Sequence, residues 1–186
     1  MSSPDTLPSP EASQSDTPPA YAPQAESVDP QVAAAWMQRM QSQQSLPGAL
    51  IGGLLGAAGG AAAWAAITVA TKFQIGFMAI GIGILVGVLV RKMGRGMSPV
   101  YGVTGAVFAL LGCVAGNLLT TCWFISEHEH TAFTSVLASL TPDAITSLLS
   151  ATFDGMDLLF YGIAVYEGYK LSFRQFTQED LAGVRG

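Results

Sequence analysis

The sequence predicts an all-α integral membrane protein, a helical bundle with about four transmembrane helices. Half of the 186 residues are hydrophobic and only 11% are charged, whereas soluble domains usually carry about 25% charged residues. Charged side chains are absent from three long runs, residues 40–71, 73–90 and 96–126. Because about 20 apolar residues cross the hydrocarbon core of a bilayer, each run is long enough for one span.

The first part of the chain, residues 1–30, is predicted to be a disordered tail. It is rich in Pro, Ser, Ala and Gln, so it buries too little apolar surface to offset its ordering entropy. Residues 1–38 contain five acids and no Lys or Arg, which accounts for the whole net charge of −5. The eight Lys and Arg residues lie beside apolar runs, which gives no basic surface for nucleic acid.

Residues 31–46 are predicted to form a short amphipathic helix beside the membrane. Asp29 and Pro30 fit an N-cap followed by a proline in the first helical turn. The helix would lie on the membrane surface with its tryptophan at headgroup depth. Its apolar side chains recur at helical spacing opposite glutamines: Val32, Trp36, Met37 and Met40.

A transmembrane domain is predicted over residues 47–175, before a short tail at 176–186. Its spans are expected at 49–70, 73–90, 99–124 and 156–173. Asp157 and Glu167 bracket the core of the fourth span, so both carboxylates are expected near the two interfaces. The intervening segment 127–155 predicts two short amphipathic helices on the outer surface, the second starting at Thr141.

The distribution of Lys and Arg predicts that both termini are cytoplasmic. In a four-span arrangement every basic residue except Lys72 falls on one side of the membrane, and residues 96–169 contain none. The positive-inside rule places the basic side in the cytoplasm. A three-span arrangement would put the basic C-terminal group beside the translocated segment, which the rule disfavours.

Glycines on one face of each of the first three spans predict close helix packing. Little hydrophobic force acts between helices in lipid, so close backbone approach and van der Waals contact drive their association. These faces predict a compact bundle with little room for a wide pore, and they permit self-association equally well. The packing positions are Gly52, Gly56, Gly60, Gly83, Gly87, Gly105, Gly112 and Gly116.

Three polar residues form a candidate intramembrane site, because polar groups are costly in lipid. Asn117 and Thr121 share a face of the third span, which suits either an interhelical hydrogen bond or contact with a substrate or ion. Glu167 precedes Lys170 by three residues. That spacing favours an interfacial ion pair over a proton or ion site.

The residue types that usually carry catalysis or bind metals are poorly placed for it. Cys113 and Cys122 lie half a turn out of phase on one helix, which predicts two buried, inert thiols. The run from Glu127 to His130 offers carboxylates and imidazoles, but residues two apart diverge on a helix. The sequence therefore predicts no catalytic residue, cofactor or metal site, and a protein that is not an enzyme.

One segment carries a resemblance to a known group of proteins. Residues 71–83 spell TKFQIGFMAIGIG, a TxxQIGxMAIGxG motif, and glycines follow it at Gly87, Gly94, Gly96, Gly105 and Gly112. Over about residues 50–120 the chain resembles an uncharacterised family of small multi-pass proteins of the bacterial inner membrane. The resemblance implies that location and carries over no catalytic residues.

These features favour a non-enzymatic scaffold, regulator or accessory subunit in the lipid bilayer, which binds a protein partner or self-associates. An alternative is a small transporter or channel that acts as an oligomer through Asn117, Thr121 or Glu167. A third hypothesis is an immunity-type protein against a membrane-active toxin, which suits a small multi-pass chain but has no support from particular residues.

Overall fold

The computed structural model is all α-helical and describes residues 30–73 and 76–174. Within them lie seven helices: α1 (Pro30–Ser42), α2 (Leu46–Thr71), α3 (Phe77–Gly94), α4 (Pro99–His128), α5 (Phe133–Ala138), α6 (Pro142–Thr152) and α7 (Gly155–Leu171). The predicted tails, and the predicted N-cap Asp29, fall outside the described residues.

Three helices, α2, α3 and α4, are long and apolar enough to cross a bilayer. The 17 residues of α7 span about 26 Å at 1.5 Å per residue, and α6 precedes this helix at a bend of 108°. The described chain therefore has three to four candidate membrane spans. The prediction of an all-α membrane bundle is confirmed.

Four long helices form the bundle, and two of them, α3 and α4, lie at its centre. These two contact each other, and each also contacts α2 and α7. Within the described residues the backbones of α2 and α7 stay apart, although the rings of Trp64 and Tyr161 touch, so the bundle has a diamond-shaped cross-section with α2 and α7 at its far corners. The short helices α5 and α6 both rest on α4.

A side-chain N-cap sets the start of α2, and the distribution of charged residues does not reveal it. The Oγ atom of Ser45 accepts a hydrogen bond from the backbone N–H of Gly48 at 3.1 Å. Pro47 stands in the first turn, where a helix needs no N–H donor. The helix α2 therefore begins at Leu46, three residues before the predicted start of the span, and the Pro47-Gly48 pair lies in its first turn.

The helices that contain the second and third predicted spans extend beyond the predicted ends of those spans, because charged side chains do not end a helix. The prediction closed the second span at residue 90, but α3 continues to Gly94. It ends where Arg95 adopts a left-handed conformation with φ of 50° and donates its N–H to the carbonyl of Arg91 at 2.9 Å. Likewise α4 continues to His128.

The two ends of the bundle carry opposite charge. Lys72 and Glu127 form an ion pair of 2.6 Å that joins the α2–α3 link to the end of α4. We name this the acidic end, since it also carries Glu129, Asp143 and Asp154. At the other end the N–H of Arg174 donates to the carbonyl of Gly96 at 3.0 Å. We name that the basic end, for Arg91, Lys92, Arg95, Lys170 and Arg174.

Glycines bring α2 and α3 into backbone contact. A Cβ atom at Gly52 would lie 2.6 Å from the carbonyl oxygen of Leu89, and one at Gly56 would lie 2.8 Å from the Cα of Val86. At Gly60 the added atom would lie 2.8 Å from Ile82. Any side chain on this face would push the two helices apart.

The other five predicted packing glycines also lie where helices of this chain meet. On α3, Gly83 and Gly87 face α7; on α4, Gly105 faces α7, Gly112 faces both α3 and α2, and Gly116 faces α2. The sequence left open whether these faces serve the bundle or self-association. In the structure a neighbouring helix of the same chain lies against each of the eight glycines.

Candidate functional site

Buried polar side chains gather in the half of the bundle nearer the acidic end. Asn117 of α4 is 3% exposed and donates through Nδ2 to the Tyr161 hydroxyl at 3.4 Å. Its Oδ1 accepts from the hydroxyls of Thr121 and Thr152, each at 3.3 Å. Tyr161 donates in turn to the carbonyl of Cys113 at 3.3 Å. We name these side chains the Asn117 cluster.

The Asn117 cluster connects three helices. Thr152 ends α6, Tyr161 belongs to α7, and both bond to the one amide group on α4. Interhelical hydrogen bonds of this kind contribute about 0.6 kcal/mol each on average in a membrane protein. The cluster therefore holds the end of α6 against the bundle, at a modest gain per bond.

Two further buried polar groups lie beside the cluster on α2. The ring of Trp64 meets that of Tyr161 edge-on, with centroids 6.4 Å apart. Trp64 Nε1 and Thr68 Oγ1 have no hydrogen-bond partner in the described part of the chain, although both residues are only 1% exposed. Leaving such a group unpaired costs about 1–3 kcal/mol.

Thr68 differs from other threonines of the bundle in its hydrogen bonding. Its Oγ1 atom donates to no carbonyl in the described part of the chain, not even that of its own helix one turn earlier. The following threonines each donate to the carbonyl four residues earlier: Thr71, Thr104, Thr120 and Thr121. Sequence reasoning missed Trp64 and Thr68, although their spacing of four residues places them on one face of α2.

Two carboxylates stand where α7 begins, and helix capping accounts for both. The side chain of Asp157, which is 8% exposed, accepts from the N–H of Asp154 at 3.1 Å. Asp154 accepts in return from the N–H of Gly155 at 2.6 Å. Acids in the first turn also interact favourably with the helix dipole.

Two recesses open at the acidic end and share Thr152, the first mostly polar in its lining and the second mostly apolar with a few polar groups. The first, of about 290 Å³, is bounded by Asp154, Asp157, Gly76 and Phe160. The second, of about 350 Å³, is lined by Thr120, Thr121, Ile125, His128 and Glu129. Their hydroxyl, carboxylate and imidazole groups suit a polar or cationic solute. No group of three His, Cys, Asp or Glu side chains that could hold a metal ion lies within residues 30–73 and 76–174.

Glu167 lies apart from the Asn117 cluster, near the basic end. It follows Tyr161 by six residues, about 9 Å along the helix axis, and its carbonyl lies where α7 approaches Gly87 of α3. The ion pair with Lys170 that the sequence favours is not formed among the described residues. Instead, the Nζ atom of Lys170 lies 5.5 Å from the ring centroid of Tyr166.

The remaining reactive side chains are enclosed by packing or held in contacts. Cys113 and Cys122 are free thiols and fully buried, and Cys113 Sγ lies 3.8 Å from the carbonyl oxygen of Ala79. Glu127, which opens the Glu-His-Glu-His run, is paired with Lys72. The structure thus unites Asn117 and Thr121 and leaves Glu167 separate.

The apolar spans, their glycine-mediated packing and the charged ends define a multi-pass helical membrane protein. Comparison of the chain with protein-family models, with curated proteins and with solved structures finds no significant match. The family resemblance of residues 71–83 therefore stays a prediction from sequence. In the structure this motif includes the α2–α3 link and the first two turns of α3, with residues 74 and 75 outside the described part.

Proposed function

We propose that this chain is a non-enzymatic scaffold or accessory subunit of the bacterial inner membrane, which holds a partner protein in the bilayer. The packing of the bundle supports this proposal most. From the Asn117 cluster to the basic end, small and apolar side chains fill the space between the helices, among them Ala49, Val86, Val90, Ala109 and Ala164. Such a core is suited to rigid support rather than to passage of a polar solute.

The proposed orientation places the basic end in the cytoplasm. Five basic residues of the described chain gather there, whereas Lys72 at the acidic end is neutralised by Glu127. Basic residues close to the ends of spans favour the cytoplasmic side. The N-terminal tail and α1 are then available to a cytoplasmic partner, and α5 and α6 to an outer one.

Flux measurements test the proposal against transport. Purified protein in liposomes is expected to pass protons and potassium ions no faster than protein-free liposomes, as read by dyes sensitive to pH and membrane potential. Asn117→Ala and Glu167→Gln serve as matched variants for the two polar positions. Flux well above the lipid background that disappears in either variant would overturn the scaffold proposal.

The runner-up function, a small transporter acting as an oligomer, is favoured by the acidic end alone. The two recesses, the Asn117 cluster and the unpartnered groups of Trp64 and Thr68 offer hydrogen bonds to an entering solute. An oligomer would have to supply the remainder of the path. The third hypothesis, immunity against a membrane-active toxin, has no contact in its favour.

A further inference from the structure

An apolar groove of about 360 Å³ lies on the bundle surface between α4, α6 and α7. Leu110 and Val114 line it from α4, Leu149 and Phe153 from α6 and its last turn, and Gly162 from α7. Three helices line this groove, since α6 meets α7 at 108° and contributes its last turn to the lining. A groove between α2 and α4 near Leu50 has two helices only.

The polar atom nearest the groove is turned away from it. Tyr161 lines the groove with its ring, but its hydroxyl is engaged inside the bundle by Asn117 and the carbonyl of Cys113. The ring is also held by Phe153, with centroids 5.4 Å apart. The groove therefore presents hydrocarbon surface only.

Gly162 keeps the groove open. A Cβ atom added at Gly162 would meet no other atom within 4 Å, in contrast to the packing glycines, where it would strike a neighbouring helix. The glycine is thus not needed for helix contact. Its effect is to leave space on the lipid-facing side of α7.

The groove lies within the depth of one leaflet of a bilayer. On α7 its lining runs from Leu158 to Val165, seven residues along the helix. At 1.5 Å per residue this is about 11 Å, less than half of a hydrocarbon core about 30 Å thick. Around a membrane span the medium that fills such a space is acyl chain.

We propose that this groove is a lipid-binding site, which holds one acyl chain of a phospholipid from the leaflet at the acidic end. The chain lies along α7 over Gly162, and α6 covers it at headgroup depth. The source of affinity is van der Waals contact with the three lining helices, since an acyl chain in the bilayer is already out of water and gains no hydrophobic free energy in the groove. The bound phospholipid then fixes α6 against the bundle together with the Asn117 cluster.

Photo-crosslinking in nanodiscs tests the proposal. The probe is a phosphatidylethanolamine with a diazirine on one acyl chain, and labelled peptides are identified by mass spectrometry. Gly162→Phe fills the groove, and Gly59→Phe is the matched control, since Gly59 is also exposed and open but lies on α2. Labelling of α6 and of the Leu110–Val114 turn is expected to fall about tenfold in Gly162→Phe, as for a loss of about 1.4 kcal/mol, and to persist in Gly59→Phe.

Two outcomes would overturn the site. Equal labelling of all lipid-facing helices would show ordinary lipid contact, and unchanged labelling in Gly162→Phe would place the chain elsewhere. A thermal unfolding curve of Gly162→Phe equal to that of Gly59→Phe establishes that the bundle is intact. If Gly162→Phe fails to fold, Gly162→Leu fills the same space with a smaller side chain and the same labelling is expected to fall.

Discussion

Gly105 of α4 and Gly168 of α7 face each other so closely that a Cβ atom added to either would clash with the carbonyl oxygen of the other. Ser172 lies in the same contact: it is fully buried, and its hydroxyl donates to the carbonyl of Gly168 at 2.6 Å. This contact fixes α7 to the bundle near the basic end. The 17-residue helix α7, a candidate fourth span, is thereby packed along the three longer candidate spans.

Gly105→Ala is therefore expected to destabilise the bundle by about 1–3 kcal/mol, because overpacking forces the helices apart. Gly81→Ala is the matched control, since its added methyl group meets no atom within 4 Å. This control is expected to leave stability unchanged or to raise it by up to about 1 kcal/mol, because alanine has a higher helix propensity than glycine. Unfolding in detergent measures both, and equal effects of the two changes would contradict the contact.

The Asn117 cluster predicts coupling between two positions. Asn117→Ala and Tyr161→Phe each remove one side of the 3.4 Å bond, and each is expected to lower stability by about 1 kcal/mol. Because the two groups act on each other, the double variant is expected to lose less than the sum of the single losses. Strict additivity in a double-mutant cycle would show that the bond contributes nothing.

Thr68 and Thr120 are both buried threonines, and the structure predicts different effects of the same substitution on stability. Thr68→Val removes an unpaired hydroxyl, so a gain of about 1 kcal/mol is expected. Thr120→Val removes a hydroxyl bonded to the carbonyl of Gly116 at 2.8 Å, and no gain is expected. A loss of stability in Thr68→Val would mean that its hydroxyl has a bound partner, such as water.

The Lys72–Glu127 ion pair is expected to contribute little to the stability of the bundle. Both side chains are more than half exposed, and pairs of this kind contribute about 0–1 kcal/mol. Lys72→Gln should therefore lower thermal stability only slightly, and the effect should vanish in high salt, since exposed charges are screened. A large, salt-independent loss would indicate a structural role that the exposure of the pair does not explain.

Much of the architecture could be predicted from the sequence because lipid imposes strong rules. Charge-free runs located α2, α3 and α4, and small residues marked the faces that touch. On α2 the large side chains point outward and the glycines inward: Leu50, Ile51, Leu54 and Leu55 are all about half exposed. In water the reverse arrangement would be expected, so residue size rather than polarity distinguished the two faces.

The remainder depended on contacts between distant residues. The assembly of the four helices decides which helix each glycine face contacts. It also decides that the polar atoms of Trp64 and Thr68 have no hydrogen-bond partner in the described part of the chain. In a helix that is apolar on all sides, hydrophobic periodicity does not identify the buried face of a single tryptophan. The bend between α6 and α7, which creates the groove at Gly162, likewise has no signature in hydropathy.

The topology tests the account most directly. Ser98→Cys in the α3–α4 link and Ser139→Cys in the α5–α6 link provide single labelling sites, while the native thiols Cys113 and Cys122 are fully buried and give little background. With a membrane-impermeant maleimide on spheroplasts, Ser139→Cys is predicted to react at once and Ser98→Cys only after permeabilisation. A reporter at the C-terminus is predicted to be cytoplasmic. A C-terminus on the same side as position 139 would contradict four spans.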